Sequence, residues 1–220
     1  SRRQCDRLIE DGAVKINGRV CELGQEVNEG DNVTVNGKKV IREIKREYYI
    51  MNKPKGYVCT VSDDKGRKTV MELLPKKAGR VFPIGRLDYA TEGLLLFTND
   101  GEFANAMTHP TRHVAKTYRV TVRPSITEEQ ITRLTTGIMI DERMTAPCEV
   151  RVVCKEEGRV VLEIILHEGR NRQVRKMCEA IKHPVMQLQR VATGDLKLGD
   201  LAKGKYRHLT EKEVKYLKKL

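Results

Sequence analysis

The chain has 220 residues, enough for one or two domains with a sizeable core. It carries 42 Lys and Arg against 30 Asp and Glu, a formal charge of +12, which favours a polyanionic partner, nucleic acid first and a membrane surface second. No apolar run approaches the ~20 residues of a membrane-spanning helix, and the charged opening Ser1-Arg2-Arg3-Gln4-Cys5-Asp6-Arg7 does not read as a signal peptide.

Arg2 to Asp11 reads as a helix with Leu8 and Ile9 inward, stopped by Gly12. Val14-Lys15-Ile16-Asn17-Gly18-Arg19-Val20 alternates around an Asn-Gly pair, a hairpin signal, and the pattern returns at Val33-Thr34-Val35-Asn36-Gly37. These stretches make a small β-rich unit with one helix over residues 1–43, and a mixed-charge linker runs from about Arg42 to Glu47. Residues 1–47 are nearly neutral at +1, so the remainder carries +11. Arg2, Arg3 and Arg7 still share one helix and can meet phosphates together. A solvated face balanced by Asp6, Glu10 and Asp11 is the plainer alternative.

A larger domain follows over residues 44–220. Tyr48 to Asn52 reads as a strand, Lys53-Pro54-Lys55-Gly56 as a turn, and Tyr57 to Val61 as a second strand. Ser62 to Lys68 is a polar loop and Thr69 to Leu74 a short helix. Apolar runs at Val81 to Ile84 and Leu94 to Thr98 flank a polar loop, Arg86-Leu87-Asp88-Tyr89-Ala90-Thr91-Glu92-Gly93. Asn99 or Asp100 then caps a helix whose apolar face is Phe103, Ala106 and Met107. Two strands that pin a loop make a rigid mount for one carboxylate, Asp88. On spacing alone Asp88 reads first as a turn former, a cap or a partner of Arg86.

Lys116 to Val122 is a period-two strand with Tyr118 on the face opposite Thr117 and Arg119. Thr127 to Gly137 is a capped helix. Cys148 to Cys154 and Arg159 to Leu166 are strands. In His167 to Ile181 the residues Val174, Met177, Cys178 and Ile181 repeat at helical spacing. Arg170, Arg172, Arg175 and Lys176 gather at the start of that helix. Cations there oppose the helix dipole at about 0.3–1 kcal/mol each, an arrangement that suits an anion site better than a purely structural helix. Gly194 to Gly199 and Gly204 to Thr210 close the domain, and Thr210 caps a final basic helix. Strands interspersed with short helices indicate an α+β fold. The six cysteines form no Cys-x-x-Cys pair and read as reduced thiols of a cytoplasmic protein. No His, Cys and acid spacing suits zinc, so no metal is expected.

Several of these stretches resemble known families. Gly85-Arg86-Leu87-Asp88, with Thr91-Glu92-Gly93-Leu94-Leu95-Leu96 and Thr98-Asn99-Asp100-Gly101, is similar to the signature of the RsuA-like ribosomal RNA pseudouridine synthases. Ser1-Arg2-Arg3, Leu8-Ile9-Glu10-Asp11-Gly12 and Val14-Lys15-Ile16-Asn17-Gly18 resemble an S4-type RNA-binding domain. The first helix of such domains precedes the position of Ser1, so the unit is expected to be N-terminally incomplete. The resemblance implies a mixed, mainly antiparallel sheet with flanking helices, and catalysis by Asp88 without a cofactor. It implies that Tyr118 lies against the target base and that Arg175 pairs with Asp88. Leu196 would line the base pocket, and Arg86 would fill the gap left by a flipped nucleotide. Lys53 and Lys55, in a Lys-Pro-x-Gly turn, would contact backbone phosphates, as would Arg170, Arg172 and Lys176.

Tyr89-Ala90-Thr91, Asn99 to Asn105 and His109-Pro110 point to the large-subunit, RluB-like branch of that family. The expected activity is isomerisation of a specific uridine in large-subunit ribosomal RNA. The chain would act as a monomer on that RNA or on a ribosome assembly intermediate, with no membrane partner. The alternatives are a small-subunit rRNA pseudouridine synthase, or a non-catalytic RNA-binding or assembly protein on the same scaffold. Asp88, Tyr118 and Arg175 together argue against the last. A nuclease or phosphotransferase would need a metal-holding acidic cluster or a phosphate-cradling Gly loop, and the sequence has neither.

Overall fold

The structure, a computed structural model, describes residues 2–40 and 45–220, without the side chains of Arg2 and Pro110. The chain divides into two compact units, Ser1–Lys45 and Arg46–Leu220. The boundary expected at 43/44, and the first part of the expected linker, lie in 41–44, outside the described residues.

In the smaller unit, α1 (Arg2–Glu10) precedes β1 (Val14–Ile16), β2 (Arg19–Val20), β3 (Val33–Val35) and β4 (Lys38–Lys39). The strands form one antiparallel sheet in the order β2-β1-β3-β4. Both tight hairpins turn on the Asn-Gly pairs, with φ of 51° and 84° at Asn17 and Gly18 and 49° and 76° at Asn36 and Gly37. Left-handed conformations at both central residues match the twist of the flanking strands. The Asn17 side chain also donates to Asp31 (2.7 Å) and accepts from the Asn32 N–H (2.9 Å), tying the first hairpin to the chain ahead of β3.

The larger unit contains β5 (Tyr48–Lys53), β6 (Phe82–Ile84), β7 (Glu92–Thr98), α2 (Gly101–Thr108), β8 (Lys116–Val122) and α3 (Glu128–Thr136). It continues with β9 (Met139–Ile140), β10 (Arg143–Met144), β11 (Glu149–Glu156), β12 (Arg159–Leu166), α4 (Gln173–Ala180), β13 (Val185–Thr193), β14 (Leu196–Lys197), β15 (Tyr206–His208) and α5 (Glu211–Leu217). The main sheet runs β11-β12-β8-β13-β7-β5-β15, with β6 on β7 and β14 on β13. Its pairings are antiparallel except β13 with β7, so the fold is α+β with a mixed, mainly antiparallel sheet. The β9–β10 hairpin stands apart.

Burial follows the sequence pattern. In β12, Val160, Leu162, Ile164 and Leu166 are buried and alternate with more exposed residues, as expected of a strand with one covered face. They pack with Leu134 of α3 and with Val174, Met177 and Cys178 of α4. Every residue of β7 is buried. Leu94 and Leu96 join one apolar cluster with Phe103 and Met107 of α2, while Leu95 and Phe97 join another with Tyr49 and Met51. The unbroken Leu94-Leu95-Leu96-Phe97 run is therefore a strand covered on both faces. Asp100 caps α2 through the Phe103 N–H (3.3 Å) and also receives Tyr48 Oη (2.7 Å) and Arg46 (2.8 Å).

The parallel contact of β7 with β13 depends on Gly93, paired with Arg190. A Cβ at Gly93 would sit 2.2 Å from the Arg190 carbonyl oxygen, and its φ is 109°. No side chain fits there.

Two expected elements differ. Tyr57 to Val61 is not a strand; Val58 makes a single bridge with Thr69, and Thr60 Oγ1 donates to the Ser62 carbonyl (2.7 Å), curling the chain away. The helix expected at Thr69 to Leu74 is a 3-10 turn over Val70–Leu73. Strand β13 and the β9–β10 hairpin add to the expected elements.

Candidate active site

Asp88 lies in the loop between β6 and β7, and that loop is held by its backbone. The Leu87 side chain is buried in the cluster with Tyr49, Met51, Leu95 and Phe97. Five consecutive carbonyls accept hydrogen bonds. Leu87 O accepts from the Cys59 thiol (3.3 Å), and Asp88 O accepts from Lys53 Nζ (3.1 Å) and the Thr91 N–H (3.0 Å). Tyr89 O accepts from the Gly56 N–H (2.9 Å), Ala90 O from Arg175 Nη2 (3.0 Å) and Thr91 O from Lys53 Nζ (2.9 Å). With its backbone so clamped, the half-buried Asp88 carboxylate has no hydrogen-bond or ion-pair partner among the described residues and faces an open cavity.

Lys53 is central to the clamp. Its side chain is fully buried at the end of β5, and its ammonium donates to the carbonyls of Pro54 (3.1 Å), Asp88 and Thr91. Burial pulls its pKa below the ordinary lysine value. The phosphate contact expected of Lys53 is thus corrected: its donors are spent on the loop, out of reach of RNA. Lys55, two residues on, is exposed.

The cavity, about 670 Å³, is lined by Asp88, Arg86 and Gly85 from the loop and by Lys116 and Tyr118 of β8. Arg190 of β13, Arg143 of β10 and the 167–172 segment complete its polar wall, and Ile84, Leu96, Met107 and Val114 supply apolar surface. Among the described residues its lining carries six Arg and Lys side chains against two carboxylates, Asp88 and Glu168, so the field inside favours an anion.

The 167–176 segment supplies fewer free cations than its sequence offers. Gln173, buried at the start of α4, accepts from the Arg170 N–H (3.0 Å) and donates to Glu168 (2.5 Å), which in turn accepts from the Ala146 N–H (3.1 Å). The Arg170 guanidinium donates to the carbonyls of Ile140, Arg143 (3.0 Å) and Met144 (3.3 Å). It stitches the β9–β10 hairpin to α4 and is corrected from an RNA contact to an internal one. Lys176 pairs with Asp141 (2.6 Å), which likewise uses the charge expected for phosphate. Arg172 occupies the N-cap position of α4 in a left-handed conformation (φ 51°), exposed on the cavity wall and without a side-chain partner among the described residues.

Two further expectations are corrected. Arg175 is not within ion-pair distance of the Asp88 carboxylate; it reaches the same loop through the Ala90 carbonyl, and so braces the acid's backbone instead of its charge. Leu196 does not line the cavity. It is 4% exposed and packs with Leu94, Leu198 and Leu217 beneath β14. Tyr118 lines the cavity beside Asp88, as does the exposed Arg86. Arg3 and Arg7 are exposed one turn apart on α1, in the other unit, and the Arg2 side chain lies outside the described residues.

Sequence reading missed Arg190 and gave Lys116 no role. In Leu188-Gln189-Arg190-Val191-Ala192, the residues Leu188, Arg190 and Ala192 are buried alternately. A cation at an inward register position was the available signal.

Residues 47–180 match the family model described as RNA pseudouridylate synthase, and residues 1–33 match the S4 domain model. The chain is 44% identical over its full length to the Bacillus subtilis protein named ribosomal large subunit pseudouridine synthase B, of which 91% is covered. It is 43% identical to an uncharacterized RNA pseudouridine synthase of Aquifex aeolicus, over 99% of this chain and 88% of the relative. A solved structure titled as a pseudouridylate synthase superposes with a TM-score of 0.74 at 31% identity, over 99% of this chain and 94% of that one. With a matching catalytic-domain model and full-length relatives at this identity, the chain belongs to the RNA pseudouridylate synthase family.

Proposed function

We propose that this chain isomerises a specific uridine of large-subunit ribosomal RNA to pseudouridine, with Asp88 as the catalytic group. The observation that carries the reading is the Asp88 loop: every carbonyl from Leu87 to Thr91 is bonded, while the one carboxylate stands free in a cationic cavity. The choice of large-subunit RNA rests on the name of the Bacillus subtilis relative.

The reaction breaks the C1′–N1 bond, turns the uracil and joins C1′ to C5; the C5 proton is lost and N1 gains one. The nucleotide must leave its stack, at a cost of a few kcal/mol. Asp88 then either attacks C1′ or removes a proton from C2′. Tyr118 lies against the flipped base, and the exposed Arg86 at the edge of the same loop occupies the space it vacates. Arg172 and Lys55, both exposed, hold backbone phosphates. The chain acts on this RNA as a single copy.

The test is tritium release from large-subunit RNA labelled at uracil C5. Release by the wild-type chain and none by Asp88→Ala is the expected result. Release by both would remove Asp88 from the centre of the reaction, and release by neither, on RNA and on ribosomal particles, would overturn the activity.

A further inference from the structure

The cavity holds two desolvated cations that the mechanism above does not use. Lys116 and Tyr118 lie two apart on β8, so their side chains share one face of the sheet. Arg190 on β13 is the cross-strand partner of Tyr118 and shares that face as well. All three line the cavity with Asp88.

Neither cation has an acid. Arg190 is 6% exposed, and its Nε donates to the Leu94 carbonyl (2.7 Å). Lys116 Nζ donates to the Val114 carbonyl (2.9 Å). Among the described residues no carboxylate pairs with either. An ammonium has three donors and a guanidinium five, so most of their N–H groups are unspent. The two also repel one another: burial first, and then the charge of Arg190, lowers the pKa of Lys116. Cations drawn out of water are ordinarily paired, because an uncompensated charge is disfavoured the more it is desolvated. A wall that keeps two such cations unpaired is complementary to negative charge that comes from outside.

The geometry points to Lys116 and Arg190 as catalytic residues that hold the negative charge developing on uracil as its bond to C1′ breaks. The inference rests on the proposed reaction. When C1′–N1 breaks, by either route open to Asp88, the electron pair leaves with the base and spreads over N1, O2 and O4. The charge persists until C5 bonds to C1′, after which C5 loses its proton and N1 takes one. Asp88 is regenerated, and the two cations give up no proton. A backbone phosphate is the other anion that RNA brings, but it stays at the surface, where the exposed Arg86 and Arg172 stand. Buried Arg190 and half-buried Lys116 lie beside Tyr118 and the apolar Ile84, Leu96 and Val114, surroundings that suit a planar base.

Lys116→Gln keeps a donor for the Val114 carbonyl and removes the charge; Lys116→Arg restores the charge. Single-turnover tritium release at saturating enzyme is measured for the wild-type chain and both variants, together with RNA affinity and melting temperature. For Lys116→Gln the expected result is a rate lower by about 10²–10³-fold, the range for losing one preorganised donor to a developing anion. RNA affinity and melting temperature should stay close to wild type, and Lys116→Arg should recover most of the rate. A rate for Lys116→Gln equal to wild type at saturation would overturn the inference, with or without weaker RNA binding. Equal losses in Lys116→Gln and Lys116→Arg would overturn it too, because charge would then not be the variable. No release by the wild-type chain would overturn the proposed reaction and this inference together, whereas wild-type release unchanged in Lys116→Gln removes this inference alone.

Discussion

The two sides of the cavity treat their polar groups in opposite ways. On the Asp88 side six hydrogen bonds hold five consecutive carbonyls and leave one carboxylate free among the described residues. On the 167–176 side charged side chains are consumed instead, Arg170 by three carbonyls and Lys176 by Asp141, while Arg172 stays exposed. The difference teaches that a run of basic residues is not a count of RNA contacts. Each cation has to be followed to its acceptor before a phosphate is assigned to it.

The largest expected effect tests the free acid. Asp88→Asn should lower single-turnover release by on the order of 10⁴-fold or more, as removal of a catalytic nucleophile does, with melting temperature and RNA affinity kept. A residual rate within tenfold of wild type would place the chemistry elsewhere. Next is the clamp. Lys53→Met leaves Asp88 in place but removes one of the two hydrogen bonds to its carbonyl and the one to the Thr91 carbonyl, and a misplacement of about 1 Å costs ~10²-fold in rate. Kinetics at saturating RNA check it; an unchanged rate would mean that the other four carbonyl bonds suffice.

Smaller effects probe the opposite wall. Arg170→Ala should destabilise the fold by about 2 kcal/mol, since several charge-assisted hydrogen bonds are lost and the hairpin carbonyls are stranded. It should leave the salt dependence of RNA binding unchanged, whereas Arg172→Ala should reduce the slope of log K against log salt by about one. Denaturant melts and binding across a salt series separate the two, and a reduced slope for Arg170→Ala would return it to the RNA surface. The smallest effect is at Lys176. A double-mutant cycle with Asp141 should give less than about 1 kcal/mol, as partly exposed pairs do.

Much of this was legible in the sequence, for reasons that particular residues make plain. The Asp88 loop was readable because its flanks are unambiguous: Leu94 to Phe97 is too apolar to be anything but buried, and Asp100 announces a helix start. The antiparallel hairpins of the smaller unit were readable from two Asn-Gly pairs. Lys53 was not, because Lys-Pro-Lys-Gly looks like a solvated turn. Its burial depends on carbonyls at 88 and 91, brought to it only by the pairing of β5 with β7. Arg190 lies in a strand whose polar residues mask its alternation. Leu196 was one apolar residue in a closing motif, and only the packing of α5 and β14 shows that it faces the core.

Gly93 carries a consequence for how this site can change over time. The strand that follows the acid and the strand that carries Arg190 touch backbone to backbone there, with no side chain between them. The spacing of acid and cation is therefore set by the covalent dimensions of two main chains. Apolar neighbours can be exchanged for larger or smaller ones and the core can repack, yet that spacing has no side chain through which it could drift by small steps. An alanine at 93 would meet the Arg190 carbonyl and a backbone conformation it rarely adopts. The position behaves as a fixed gauge: a lineage keeps the glycine or loses the juxtaposition in a single substitution.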